Sequence, residues 1–162
     1  MDRNYGGMLG MADLRIRVAK GKDDLLKALR ATEDTPGPFQ SYADALVFAA
    51  SLGIKRNQRQ PITEYSKSID PIRQDIFYGK GYEHIINLIA VTSSNEPRVL
   101  ASTDEAEQER IKIFEEYANA GLMILEGILK GSVDYSEQIL LFLSKERETS
   151  ASEEEFDLSN FL

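Results

Sequence analysis

Hydrophobic and polar positions change period several times along this chain, and each change marks an element. Leu14, Ile16 and Val18 alternate with Arg15 and Arg17, the pattern of a short strand with one apolar and one basic face. After Gly21 the period lengthens. Leu25, Leu26 and Leu29 predict a helix over 22–32, which the turn residues Thr35-Pro36-Gly37-Pro38 end. Ser41 is a good N-cap with Asp44 three residues on. The helix it opens buries Ala45, Leu46, Phe48, Ala49 and Leu52, and Gly53 can close it. Its alanines allow close packing against another helix.

Lys55 to Pro61 reads as a polar, basic turn, and Asp70-Pro71 opens a further short helix, since proline at the first helical position wastes no hydrogen bond. Gly79 and Gly81 interrupt that helix as a hinge. They are not a phosphate loop, because the Gly-x-x-x-x-Gly-Lys-Ser/Thr spacing is absent. The run from Tyr82 to Val91 is apolar enough for a helix or a buried strand; Glu83 in the first turn and the permissive Gly81 favour helix. Ser94 to Pro97 is a loop. Ser102 and Glu105 then form a capping box, and Ile111, Phe114, Ala118, Leu122, Leu125 and Leu129 hold one face of a helix through about Lys130. Gly131 stops it, and Tyr135 to Lys145 supplies a last amphipathic helix.

These elements divide the chain into a disordered lead at 1–12, a single helical domain at 13–145 and an acidic, disordered tail at 146–162. The fold class is mainly α with a short N-terminal strand. Residues 14–53 match a ribbon-helix-helix arrangement in order and length, in which two copies pair their strands and present the outward residues to a DNA major groove. That reading makes the protein a homodimer, because a lone strand leaves edge groups unpaired.

With 162 residues, 42% of them apolar, the chain can build one domain with a real core. It contains no cysteine, so neither a disulfide framework nor a thiolate metal site is available, and the cytoplasm is the expected location. No apolar run approaches the roughly 20 residues that span a bilayer, so no membrane partner is expected. Charge is unevenly divided. Residues 15–59 carry nine Lys/Arg against five Asp/Glu, whereas 60–162 carry nine against twenty, within a net charge of −8. Such a chain has one segment able to meet a polyanion and another that repels it.

The candidate polyanion contacts are Arg15, Arg17 and Lys20 around the strand, and Lys55, Arg56 and Arg59 after the second helix. Arginine offers paired hydrogen bonds to guanine edges or phosphate. Two readings stand for the second group: compensation of a helix C-terminus, or contact with phosphates aided by Asn57, Gln58 and Gln60. His84 is the only histidine and reads as a partly buried helix residue with no second ligand for a metal. The carboxylates Asp104, Glu105, Glu107, Glu109, Glu115 and Glu116 fall at the start or on the wet face of their helix, not in a desolvated cleft. No residue set reads as an active site, and no cofactor or metal is expected. The tail is either solvated chain or a peptide that docks on a basic, apolar-pocketed partner through Phe156, Leu158, Phe161 and Leu162.

Four segments together resemble one family: FQSYADALVFAASLGIKRNQRQPI at 39–62, PIRQDIF at 71–77, IINLIAV at 85–91 and RIKIFEEYANAGLMIL at 110–125. They look like the small accessory proteins of bacterial DNA-phosphorothioation (Dnd) clusters, Dnd system-associated protein 4, over about 14–145. The layout of 14–30 is also similar to the start of the DndE subunit. The resemblance implies a role in modifying DNA with sulfur or in the restriction and phage defence that rely on it, with other proteins of the cluster, and DNA, as partners. It transfers no catalytic residues. The expected function is therefore that of a non-enzymatic accessory or adaptor subunit meeting DNA or a DNA-handling subunit through a basic N-terminal surface. Its rivals are a ribbon-helix-helix transcription regulator and an acidic DNA mimic.

Overall fold

The structure, a computed structural model, describes residues 14–158. Along the chain run β1 (Arg15–Ile16), α1 (Asp23–Leu29), α2 (Tyr42–Lys55), β2 (Ile72–Arg73), α3 (Gln74–Gly79), α4 (Glu83–Ser94), a 3-10 turn (Pro97–Leu100), α5 (Asp104–Leu129) and α6 (Tyr135–Leu158). The fold is mainly helical, with one short antiparallel sheet.

Its centre is the crossing of α2 and α5, the most extensive helix pairing in the molecule. Small residues set their distance. A Cβ on Gly121 would lie 1.7 Å from the Ala49 carbonyl oxygen, and one on Gly53 would lie 2.4 Å from that of Tyr117. The backbones touch where alanine packing was expected. Gly53 therefore serves the crossing and does not close α2. Closure falls to Asn57 at φ 50°, with Asn57 N–H donating to Ile54 O at 3.0 Å and Gln58 N–H to Gly53 O at 2.9 Å. These two bonds are the Schellman pattern, which needs one left-handed residue that asparagine tolerates. Ser41 does cap α2, its hydroxyl accepting from Asp44 N–H at 3.2 Å.

Packing from several sides changes what burial means for α5. Residues Ile113 to Leu122 are all buried, where a single apolar face was predicted. Its cap is Thr103, whose hydroxyl accepts from Ala106 N–H at 3.2 Å, so the Ser102/Glu105 box lies one residue too early. The helical reading of Tyr82–Val91 agrees with α4. Gly131, at φ +79°, follows α5 as expected.

Three expectations give way. Asp70-Pro71 opens no helix: Ile72 and Arg73 pair as β2 with Ile16 and Arg15, and α3 begins at Gln74. Proline's fixed φ suits an extended segment as well as a first helical turn, and Ile72 packs on the core that holds Ile16. The ribbon is likewise closed within one chain. Gln74 N–H donates to Leu14 O at 3.0 Å, Ser66 N–H to Val18 O at 2.7 Å and Lys20 N–H to Glu64 O at 2.9 Å. With those bonds made, the strand gives no reason for a homodimer. Finally, α6 continues past Lys145 to Leu158. Arg147 to Ser152 lack an apolar period because they face solvent, not because helix formers are missing.

His84 is exposed, not partly buried. Among the described residues no helix is long and apolar enough to cross a membrane, and no group of three His, Asp or Glu is placed to hold a metal ion.

Candidate nucleic-acid interface

The two basic segments come together on α5, through the two glutamates the sequence placed on its wet face. Glu115 is 4% exposed and Glu116 8%. They are adjacent in sequence, and within residues 113–122, where every residue of the helix is covered, both are buried. Glu115 Oε2 accepts from Arg17 N–H at 3.1 Å and stands 3.6 Å from Arg17 Nε. Glu116 Oε2 accepts from Arg59 Nε at 2.6 Å. The chain between these arginines is tied down as well. Gln60 N–H donates to Glu116 O at 3.1 Å, and Asn119 Nδ2 donates to Gln60 O at 3.2 Å.

The other predicted cations are paired too. Lys55 Nζ lies 3.0 Å from Glu146 Oε2, Arg56 meets the other oxygen of the same carboxylate, and Lys20 Nζ is 2.5 Å from Glu64. Both readings of the Lys55–Arg59 group are thus partly replaced by a third: its charge fixes α6 and α5 against the end of α2. Of the six predicted contacts, Arg15 is the one with no carboxylate partner among the described residues. The apolar tail residues cannot be placed in the same way. Phe156 and Leu158 lie on α6 beyond the last described side chain, and Phe161 and Leu162 lie outside the described residues.

Two clefts flank Arg15. The larger, about 510 Å³, is lined by Arg15, Arg17, Tyr65, Lys112, Glu115 and Glu116 among others. Arg17 lies over the Tyr65 ring, 3.8 Å from its centroid. Burial pushes the Glu115 carboxyl up to about 7 against the opposing pull of the Arg17 guanidinium and N–H, and the charge of Glu116 adds to the rise. The base of this cleft becomes more negative as pH rises through neutrality, which disfavours an anion there.

The smaller cleft, about 390 Å³, has the opposite character. Among the described residues its lining holds Arg15, Arg30 and Arg73 and no acidic residue. Arg15 and Arg73 are direct partners across β1 and β2, and like charges so placed repel. The Arg30 guanidinium carbon stands over Tyr42, 4.0 Å from the ring centroid, and Ile76, 46% exposed, gives an apolar wall. The charge of Arg73 is shared with Asp75, while Arg30, like Arg15, has no carboxylate partner among the described residues. The sequence pattern named Arg15 but neither Arg30 nor Arg73. Arg73 was hidden by the helical reading of its segment. Arg30 reaches the cleft because 30–39 folds back, with Phe39 N–H donating to Leu29 O at 3.0 Å and Ala31 N–H to Phe39 O at 2.6 Å.

A family model described as DNA sulphur modification system-associated protein 4 matches residues 15–161. No curated protein and no solved structure matches the chain.

Proposed function

Because the chain belongs to the DNA sulphur modification system-associated protein 4 family, we propose that it serves that system as an adaptor, holding nucleic acid on one face and another protein of the system on a second. The observation that carries this reading is the sorting of charge. In a molecule of net −8, folding pairs five of the six predicted contact cations with carboxylates and leaves a cleft on the β1–β2 face lined by three arginines and, among the described residues, by no acid. The net negative charge opposes general attraction to phosphate, so contact would depend on a local cluster of cations such as this one.

The second face belongs to α6. Its Tyr135, Ile139 and Phe142 pack on the body, while Leu140, Leu141 and Leu143 are exposed. Three exposed leucines on a helix that extends into the acidic stretch Glu153 to Asp157 suit a partner offering apolar surface edged with Lys or Arg. The tail residues Phe156, Leu158, Phe161 and Leu162 would extend the same contact.

Affinity capture tests the reading. The tagged full chain, mixed with the other proteins encoded in its cluster after nuclease treatment, should retain at least one of them. Leu140→Asp with Leu143→Asp should release it, and failure of the wild type to retain any would sink the adaptor role.

A further inference from the structure

We propose that the cleft of Arg15, Arg30 and Arg73 binds an unpaired nucleic-acid strand, with a phosphodiester on the two strand arginines and a neighbouring base on Arg30; this rests on the nucleic-acid face of the adaptor reading. Three features of the cleft lead there. The first is a like-charge pair that folding does not need. Arg15 and Arg73 stand directly opposite on a two-stranded sheet, and apart from the Asp75 contact to Arg73 no carboxylate among the described residues relieves them. Arg15 makes one long hydrogen bond, from Nη1 to Pro71 O at 3.5 Å. Two guanidinium groups on adjacent strands can each direct a fork of N–H donors at one phosphate, and an anion between them turns the repulsion into attraction.

The second feature is the stack. Arg30 stands over Tyr42, its guanidinium carbon 4.0 Å from the ring centroid, so the ring anchors a group whose planar cation can receive a further π-face. A guanidinium plane of this kind accepts a nucleobase, and base stacking on such surfaces is insensitive to sequence. The third is shape and polarity. The recess has apolar wall from Ile72 and Ile76 beside the arginines, and Gln40 supplies an amide at the rim. A duplex offers phosphates on a convex backbone but keeps its base faces stacked inside, so only an unpaired strand can put a base and its phosphate into the recess together. An acidic peptide segment would meet the charge without using the stack.

The test is fluorescence anisotropy of the full chain with a labelled single-stranded dT12, a duplex of twelve base pairs and a twelve-residue polyglutamate peptide, over a series of salt concentrations. Wild type is expected to bind dT12 at least tenfold more tightly than the duplex or the peptide. Arg15→Ala with Arg73→Ala should weaken dT12 binding at least tenfold and lower the salt slope by about 1.4, the value for two contacts on a single strand. Arg30→Lys keeps the charge and removes the plane, so it should bring dT12 down to the duplex level. Arg98→Ala, at a side chain 91% exposed and away from the cleft, should change neither affinity by more than twofold. Urea midpoints of the variants within a few tenths molar of wild type show that the fold is kept.

Equal binding of strand and duplex, equal binding of peptide, or unchanged dT12 affinity in the arginine variants would each overturn the proposal. The outcomes also separate the two levels. Wild-type dT12 binding that survives every cleft variant leaves nucleic-acid contact standing and removes this site. Wild type that binds neither nucleic acid yet retains a cluster protein removes the whole nucleic-acid face.

Discussion

Glu115→Gln should abolish a large pH dependence of stability while leaving the fold in place. The Glu115 carboxyl moves from an ordinary value of 4.5 to about 7 in the folded protein, chiefly because it is buried. Its folded form therefore binds a proton more tightly than its unfolded form. A group of this sign stabilises fully below the unfolded value, and the contribution is lost as pH rises through the folded one. At 1.36 kcal/mol for each tenfold change, that window is worth about 3 kcal/mol, most of it between pH 5 and 8. Glutamine keeps an oxygen to accept the Arg17 N–H and cannot ionise. Arg17 keeps its place over Tyr65. Urea unfolding followed by far-ultraviolet circular dichroism at pH 5, 6, 7 and 8 would measure both proteins, and the difference between them cancels the titration of every other group they share. Wild type should lose about 2–3 kcal/mol relative to the variant between pH 5 and 8. A difference constant to within about 0.5 kcal/mol would show that Glu115 is not held in a desolvated site, and the pH-dependent negative charge assigned to the larger cleft would fall with it.

The central crossing gives a sharper test of packing. Gly121→Ala drives a methyl group into the Ala49 carbonyl and should cost about 3 kcal/mol or more, whereas Gly127→Ala on the same helix, with nothing near its Cβ, should stabilise by about 0.5–1 kcal/mol; chemical denaturation of the two variants checks both signs. Arg15→Thr should raise stability by about 0.2–1 kcal/mol by relieving the cross-strand repulsion with Arg73, and an unfolding midpoint that falls instead would mean that Arg15 stabilises the free protein.

What was legible in the sequence was whatever depended on neighbours along the chain. The Ser41 cap, the helical character of Glu83–Ser94, the stop at Gly131 and the small-residue face of α2 all follow from local periods and turn chemistry. Two of the misreadings share a cause: each needed a partner distant in sequence. Ile72 and Arg73 are a strand only because Ile16 and Arg15 lie beside them. Gly53 looked like a helix end, yet it is required by a carbonyl of Tyr117, 64 positions away in sequence. Arg147 to Ser152 lack a period because a helical stretch facing solvent has no apolar side to repeat, so periodicity reports burial and not helix formation.

The same distinction governs the charges. Counting along the chain placed a basic segment before an acidic half and suggested two opposed surfaces. In the fold, Glu115, Glu116 and Glu146 from the acidic half are the partners of Arg17, Arg59, Lys55 and Arg56 from the basic one. Linear charge asymmetry was in this case a signature of internal pairing. A cation that already faces a carboxylate gains little from a phosphate, since it must give up one interaction for the other, and exposed pairs are worth only about 0–1 kcal/mol to begin with. On the proposed reading, contact with a polyanion would rest with cations that folding leaves beside each other and not wholly neutralised by acids. Arg15 and Arg30 have no carboxylate partner among the described residues, and they come beside Arg73, itself shared with Asp75, only after β2 forms and the 30–39 segment folds back, so the surface is made by the topology, and no stretch of sequence spells it.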